Sequence, residues 1–353
     1  MRSAGLIAPV SRRAFAGGTA MLAASAVAGH ALAGVSAAAG STPGTPTAAD
    51  PLPSWNDGPN RRAILAFVAA VTAGGAPAFV PAEDRIAVFD NDGTLWAEQP
   101  VYTQSYFAID EVKRLAPDHP EWAGTEPWDS FLSGDPERIA TLSQHEVAGA
   151  LAAVFTGMTV EEYEDRVAAW FATARHPVLD RPFSGVIYQP QLELFAYLRA
   201  NGFRTWIVTA GGIDFLRPIS GAYYGIPREQ VIGSAAEVTW ESVDGRPALV
   251  RQPKLGVNDD REGKPINIHL FIGRRPILAF GNSDSDQQML EYAAAGDGPR
   301  PSLMLLLDHD DADREFAYRK SKLGNLDTAL AEARERDWNV VSMKDDWATV
   351  FPA

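Results

Sequence analysis

The chain has 353 residues, of which 46% are hydrophobic and nine are tryptophan, enough for a sizeable core in one large or two modest domains. Its 45 acidic and 31 basic residues give a formal charge of −14. So acidic a surface disfavours nucleic acid and anionic membranes as partners. The absence of cysteine excludes disulfides, thiolate metal sites and a cysteine nucleophile.

The first 33 residues are typical of an export signal. Arg12 and Arg13 precede a mildly apolar stretch that ends in the small-x-small sequence Ala31-Leu32-Ala33. The arginine pair resembles a twin-arginine signal, which implies recognition by the twin-arginine export machinery and a periplasmic or extracellular location. The stretch is too weakly apolar for stable membrane insertion, and a basic pair before an ordinary core helix is the alternative interpretation. Without this segment, 28 basic and 45 acidic residues remain, a charge of −17.

Residues 34–59 consist mainly of alanine, glycine, serine, threonine and proline. This composition predicts a disordered tether, because it buries too little surface to become ordered. A helix is predicted next, from Asn60 as its N-cap to Val71, followed by a buried strand from Ile86 to Phe89. Folding is therefore expected to begin at about residue 60.

The stretch from residue 96 to residue 181 predicts several amphipathic helices and no clear strand. The clearest pattern covers residues 160–174, where Thr159 and Glu162 are spaced to form a capping box. Strands and helices should alternate in a wound α/β sheet, so we interpret this stretch as an inserted all-helical cap. A run of ordinary helices covering the sheet is the alternative.

From Pro190 onwards, strand and helix patterns alternate again. Strands are predicted at residues 205–209, 277–280 and 303–307, with a hairpin over 231–250 around Asp244-Gly245 and two polar helices at the end. These patterns predict an α/β fold with a parallel sheet. Its core would comprise residues 60–95 and 182–353, and the cap residues 96–181.

Polar side chains follow three of the predicted strands. Asp90 and Asp92 come directly after the first strand, Thr209 ends the second, and Asn282 and Asp286 follow the third. Residues that carry chemistry in open α/β sheets lie just beyond the carboxyl ends of strands. The sequence therefore places a candidate site at this edge of the sheet.

With Lys264 at a predicted helix start between the last two clusters, these motifs resemble those of the haloacid dehalogenase superfamily over residues 61–353. The match is strong for Asp-x-Asp-Gly-Thr-Leu at residues 90–95 and weaker for the second and third motifs. The resemblance implies a Rossmann-like core. The helical insert is similar to the cap of the phosphoserine phosphatase-like branch, in which the cap selects the leaving group.

The resemblance also implies phosphoryl transfer, with Asp90 as the nucleophile that becomes an aspartyl phosphate. Asp92 would protonate the leaving oxygen and then deprotonate the attacking water. Lys264 would bridge Asp90 and the phosphate, whose oxygens would be bound by Thr209, Ala210 and Gly211. The simpler interpretations are a β-branched strand residue for Thr209 and an exposed surface lysine for Lys264.

The cofactor implied by the resemblance is Mg²⁺, a hard cation that prefers oxygen ligands. Its ligands would be a carboxylate oxygen of Asp90, the backbone carbonyl of Asp92, Asn282 and Asp286. Asn282 departs from the family pattern, in which aspartate is commoner. An uncharged amide oxygen should weaken metal binding unless Asp286 or Asp284 contributes more.

The sequence therefore predicts an exported, Mg²⁺-dependent phosphomonoester phosphatase that acts on a small phosphorylated metabolite. A phosphotransferase or phosphomutase that forms the same intermediate is one alternative, and a catalytically weak secreted binding protein is another. Dehalogenases of the superfamily lack the aspartate at position 92, which disfavours dehalogenation here.

Two further sets of residues were candidates for binding. Trp96, Glu98, Tyr102 and Phe107 are near the catalytic turn in sequence and predict a pocket for a cationic alcohol, with plain core packing as the alternative. The acidic run at residues 308–311 is expected to be a solvated loop rather than a second metal site. The histidines lack the His-x-x-x-His spacing of zinc hydrolases.

Overall fold

The computed structural model describes residues 50–353, other than 140, 143, 297–299, 322 and 323. The predicted export signal and most of the predicted tether lie outside these residues. The tether prediction is wrong for residues 50–59, because Leu52 and Trp55 are buried and the Ser54 hydroxyl donates to Glu193 at 2.6 Å. None of the helices in the described ranges is long and apolar enough to cross a bilayer.

The first helix, α1, spans Pro59–Thr72, and its N-cap is Gly58 rather than the predicted Asn60. Proline favours the first helical position because its fixed backbone angle suits the helix and its missing N–H costs nothing there. Asn60 is instead buried, and its amide donates to the Val340 carbonyl and to the Asp346 carboxylate. The helix is followed by β1, Ile86–Phe89, in which every residue is buried.

The predicted helical stretch contains five helices, which are α2 (Thr103–Leu115), α3 (Trp128–Ser133), α4 (Pro136–Ile139), α5 (Gln144–Phe155) and α6 (Val160–Phe171). The expectation of no strand is wrong at its end, where β2 (Arg175–His176) pairs with β3 (Arg181–Pro182). Side chains of α2 and α6 share one buried apolar cluster with Phe89 of the sheet. The division into a core and a separate cap stays a prediction.

The capping box at α6 is formed as the sequence predicts. Thr159 Oγ1 accepts from the Glu162 amide at 3.0 Å, and the Glu162 carboxylate accepts from the Thr159 amide at 2.9 Å. We expect Thr159→Ala to lower the free energy of unfolding by about 1 kcal/mol, because helix-end amides lose their acceptor. Urea unfolding should show this loss, whereas Thr173→Ala at an exposed position should leave the midpoint unchanged. Equal midpoints for both variants would contradict the capping role.

The rest of the chain alternates between helices and strands. Its elements are α7 (Gln189–Ala200), β4 (Arg204–Gly212), α8 (Ile213–Tyr224), β5 (Val231–Val243), β6 (Arg246–Val257), α9 (Gly263–Asn267) with a π-helical continuation (Ile268–Ile272), β7 (Leu278–Gly281), α10 (Gln287–Ala294), β8 (Leu303–Asp308), α11 (Thr328–Glu335), β9 (Asn339–Ser342) and α12 (Met343–Asp346). The predicted α/β fold with a mostly parallel sheet is confirmed.

Seven strands form one sheet in the order β6-β5-β4-β1-β7-β8-β9. Every neighbouring pair is parallel except β5 and β6, which form the predicted hairpin. The prediction that residues 303–307 are the last strand is wrong, because β9 follows and pairs with β8. This strand is short and lies at the edge, where only Val341 of its four residues is buried, so its apolar pattern is weak.

The central strand β1 fixes the position of the candidate site. Phe89, its last residue, pairs with Ile207 of β4 and with Phe280 of β7. The residues that follow these positions therefore leave the sheet side by side, at its carboxyl edge. In a wound sheet, ligands bind where strand order reverses, and β1 lies at that point.

Candidate active site

Asp90 and Asp92 leave the end of β1 in a tight turn. Asp90 is 6% exposed, and the indole of Trp96 donates to Asp92 Oδ1 at 2.8 Å. Gly93 has a left-handed φ of 75° that favours glycine. A Cβ there would also lie 2.0 Å from Asn282 Nδ2, so the turn closes only without a side chain.

Lys264 joins three strand ends through one ammonium group. Its Nζ atom lies 2.6 Å from Asp90 Oδ1, 2.7 Å from Asp286 Oδ1 and 2.9 Å from the Val208 carbonyl. The side chain is fully buried, so the alternative of an exposed surface lysine is wrong. All three N–H donors of the ammonium are used by protein acceptors.

Both carboxylate oxygens of Asp286 accept hydrogen bonds. One carboxylate oxygen accepts from Lys264, and the other accepts from the backbone amides of Asn282 and Ser283 at 3.0 and 3.1 Å. The metal-ligand role for Asp286 stays a prediction, but in this arrangement its oxygens position Lys264 and the loop after β7. Asp284 Oδ1 is likewise engaged, by amides at the start of α11.

The end of β4 lies beside the carboxylate of Asp92. A Cβ added at Gly211 would lie 3.3 Å from Asp92 Oδ2, which places this backbone beside the carboxylate. Thr209 is buried and its Oγ1 accepts from the Gly211 amide at 3.0 Å, while Ala210 is exposed. The next amide, of Gly212, donates to Gln104 Oε1 at 2.9 Å. Helix α8 begins directly after this loop.

Two of the oxygens predicted to bind Mg²⁺, on Asp90 and Asn282, lie near the same hydroxyl group. The Thr94 hydroxyl lies 3.0 Å from Asn282 Oδ1 and 3.4 Å from Asp90 Oδ2, so these two oxygens face the same small region. Carboxylate, amide and carbonyl oxygens form a donor set that suits Mg²⁺. One buried lysine faces several buried carboxylates, so a divalent cation would also reduce the excess of negative charge. The residues present therefore fit the ion.

Burial and mutual repulsion disfavour charge on these carboxylates. Burial and the negative charge of Asp286 raise the pKa of Asp90 from 3.8 to about 8, although Lys264 opposes the shift. Lys264 itself has a raised pKa, because the attraction of Asp286 and Asp90 outweighs its burial. Both pKa values are raised, which disfavours the charge on Asp90 and favours the charge on Lys264, because one cation is shared by two carboxylates. Burial also raises the pKa of Asp92, against hydrogen bonds from Trp96 and Asn91.

Without metal, the protein is expected to lose stability as pH rises from about 4 to about 8. Over this range the folded Asp90 retains a proton that the unfolded chain has released, so rising pH favours unfolding. Urea unfolding in chelator at pH 5 and pH 8 should show the loss, and Asp90→Asn should reduce it. Added Mg²⁺ should stabilise the protein more at pH 8 than at pH 5. A stability unchanged between the two pH values would contradict this charge balance.

Glu98 is a site residue for which the sequence suggested a different role. It is 3% exposed, and its Oε1 accepts from Tyr318 at 2.7 Å and from Asn282 Nδ2 at 3.2 Å. Burial raises its pKa well above the usual value. Glu98 thus orients the amide of Asn282, and their 184-residue separation explains why no local pattern reveals the contact.

The aromatic pocket predicted for a cationic alcohol is formed only in part. Trp96 packs against Phe171 and Tyr224, and Phe107 packs against Phe155 and Tyr163, so both belong to the core. Glu98 and Tyr102 do line the cavity beside the catalytic carboxylates. The alternative interpretation, core packing, is therefore correct for Trp96 and Phe107.

The acidic run after β8 is buried rather than solvated. His309 is 2% exposed, and its Nε2 lies 2.8 Å from the Gly93 carbonyl, while its Nδ1 lies 3.1 Å from Glu315 Oε2. Asp308 and Asp311 are also buried and paired with arginines. The solvated-loop prediction is wrong, because β8 adjoins β7 and its end packs behind the catalytic turn. Across the described ranges, no group of three or more histidine or acidic side chains is arranged to bind a metal.

A cavity of about 870 Å³ opens onto the site. Its lining includes Asp90, Asp92, Thr209 and Gly211 together with side chains of α2, α3 and α5. This size is typical of a pocket for a small organic molecule. Asp90, Asp92, Thr209, Ala210 and Gly211 therefore line one cavity, and Lys264 lies buried behind Asp90.

Comparison with solved structures returns chains of low sequence identity. A functionally unknown protein from Anaerococcus prevotii is 17% identical, with 80% of this chain and 91% of that chain covered and a TM-score of 0.49. A phosphoserine phosphohydrolase-like protein from Francisella tularensis is 18% identical, with 70% and 98% covered and a TM-score of 0.38. No curated protein matches this chain.

The family model for haloacid dehalogenase-like hydrolase matches residues 87–291. The match extends over more than half of the chain and runs from β1 into α10. It includes the strand ends that carry Asp90, Thr209 and Asn282, together with Lys264. The chain therefore belongs to the haloacid dehalogenase-like hydrolases.

Proposed function

We propose that the protein is a phosphomonoester phosphatase that works through an aspartyl phosphate on Asp90. The observation that carries the proposal is the contact of Lys264 with both Asp90 and Asp286, beside a second carboxylate on Asp92. A carboxylate attacks an anionic phosphate only where positive charge offsets the repulsion. The arrangement supplies that charge at the nucleophile itself.

In the first step, an oxygen of Asp90 attacks phosphorus and the bond to the alcohol oxygen breaks. Lys264 holds Asp90 Oδ1, so we assign the attack on phosphorus to the other oxygen, Oδ2. Asp92 gives its proton to the departing alcohol oxygen, a role that its raised pKa favours. The loop of Thr209 and Gly211, beside Asp92, holds the phosphate at the start of α8.

In the second step, water attacks the phosphorus of the aspartyl phosphate. Asp92, now a carboxylate, removes a proton from that water, and the bond between phosphorus and Asp90 breaks. Inorganic phosphate leaves and Asp92 again carries a proton. The indole of Trp96 keeps Asp92 oriented through both steps.

Mg²⁺ would be held by Asp90, the Asp92 carbonyl and Asn282. When bound, the ion neutralises charge on the phosphate oxygens and lowers the repulsion between substrate and nucleophile. Asn282 brings no charge to the ion. Hydrogen bonds with Glu98 and Thr94 hold its amide group in place.

The test is phosphate release from a generic aryl phosphate monoester, with Mg²⁺ and with chelator. We expect turnover that needs Mg²⁺, and no release from the matching diester, whose extra ester group blocks the phosphate loop. Added acceptor alcohols should leave phosphate release unchanged, whereas a phosphotransferase would form new esters. Failure to hydrolyse any monoester between pH 5 and pH 9 would overturn the proposal.

The proposal includes export, for which the support is the arginine pair and the mild hydrophobicity of the first 33 residues. Replacing Arg12 and Arg13 together with lysine should retain the protein in the cytoplasm of a host with the twin-arginine machinery. Unchanged export of that variant would refute this route.

A further inference from the structure

We infer that the site takes phosphomonoesters whose alcohol is uncharged and apolar, such as an alkyl or aryl alcohol. This substrate class rests on the proposed phosphatase activity. Six apolar residues of the cavity lining, which we call the distal wall, support this inference: Phe131, Ile139, Leu142, Val147, Leu151 and Phe155.

The distal wall exposes apolar side chains to the cavity. Leu142, Val147 and Leu151 are only partly buried, although each packs against the main apolar cluster. These side chains line the cavity. Apolar surface of this kind marks a ligand-binding position, because covering it with an apolar group removes it from water.

Polarity changes in one direction along α2. Gln104 contacts the amide of Gly212 in the phosphate loop, and Ser105 follows it in the cavity lining. Ala108 lines the cavity one turn later, about 6 Å farther along the helix axis. A bound ester would therefore place its phosphate at the polar end and its alcohol against the distal wall.

The cations of the cavity lining are engaged elsewhere. Arg251 pairs with Asp214 and lies over the ring of Tyr163, with the guanidinium carbon 4.0 Å from its centre. Lys254 pairs with Glu237 at 2.7 Å. Arg261 is the third cation among the lining residues that the structure describes, and it lies 3.9 Å from Asp260. These cations are already paired with carboxylates, so they are less available to bind a second anionic group on the alcohol.

A cationic alcohol is also poorly matched. Of the aromatic residues expected to surround it, Trp96 and Phe107 are part of the core and do not line the cavity, whereas Tyr102 does. The carboxylates of Glu98 and Asp92 lie beside Asn282 and Gly211, where the phosphate would bind. The distal wall itself is apolar, so an apolar group on the alcohol fits it best.

The experiment uses two series on the full chain with Mg²⁺. Hydrolysis is followed for n-alkyl phosphates from ethyl to octyl, and binding is measured by calorimetry for the n-alkyl phosphonates of the same lengths, which cannot be hydrolysed. We expect kcat/KM and affinity to rise by about fourfold for each methylene that becomes fully buried. Leu151→Gln should reduce the slopes of both kcat/KM and affinity against chain length. Leu65→Gln, at a partly buried position on α1 outside the cavity, should keep them.

The two series separate this inference from the proposed function. Phosphonate affinity that rises with chain length supports the inference even if no ester is hydrolysed, in which case the phosphatase proposal alone fails. Hydrolysis of ethyl phosphate with less than a twofold gain up to octyl, in rate and affinity alike, would overturn the inference and leave the phosphatase proposal in place. Equal slopes for Leu151→Gln and Leu65→Gln would also overturn it.

Discussion

Replacing Asp90 with asparagine is expected to lower kcat for aryl phosphate hydrolysis by roughly 10⁴-fold or more. An amide oxygen is a poor nucleophile towards phosphorus, and no other carboxylate replaces it because Asp286 is fully engaged by Lys264 and two backbone amides. The same substitution should stabilise the metal-free protein above neutral pH, since it removes a buried charge whose pKa is raised to about 8. Loss of activity together with gain of stability distinguishes a catalytic role from a structural one.

The matched control is Asp57→Asn, at an exposed aspartate that pairs with Arg62. It should retain the activity of the unaltered protein. Steady-state kinetics and urea unfolding of both variants give the comparison. A loss of less than tenfold for Asp90→Asn would mean that another group attacks the phosphate.

Lys264→Met is expected to destabilise the protein by about 3–5 kcal/mol at pH 8 and to abolish turnover. The substitution leaves Asp90 and Asp286 buried without their shared cation, and an uncompensated buried charge is costly. The loss should be smaller at pH 5, where protonation of the carboxylates relieves the imbalance. Urea unfolding at both pH values measures it.

A double-mutant cycle makes this test specific. Adding Asp286→Asn to Lys264→Met should recover part of the lost stability, because one of the two unpaired charges is removed. Lys254→Met, at an exposed lysine that pairs with Glu237, should have no measurable effect on unfolding. Additive losses for Lys264→Met and Asp286→Asn would contradict a direct ion pair between them.

The strand ends could be predicted from the sequence because each has a local signal. Ile86 to Phe89 is a short apolar run that stops at Asp90, and Thr209 and Asn282 follow runs of the same kind. Parallel strands end at the same edge of a sheet, so three local patterns suffice to place these residues together. Lys264 follows from its position at a helix start.

The contacts behind the catalytic turn could not be predicted in this way. The run at residues 308–311 has the composition of a solvated loop, and only its place beside β7 buries His309 against the Gly93 carbonyl. Glu98 reaches Asn282 and Tyr318 across 184 and 220 residues of sequence. Such contacts depend on tertiary packing, which a pattern along the sequence does not reveal.

The central claim is that phosphate is transferred to Asp90, and trapping that intermediate tests it most directly. The protein and Asp92→Asn would each be mixed with an aryl phosphate and Mg²⁺, quenched in acid within the first turnover, and digested for peptide mass spectrometry. We expect phosphate on the peptide that contains Asp90, and more of it in Asp92→Asn, because an aryl group leaves without an acid whereas the second step needs the base. Release of phosphate in the first turnover with Asp90 unmodified in both proteins would contradict the claim.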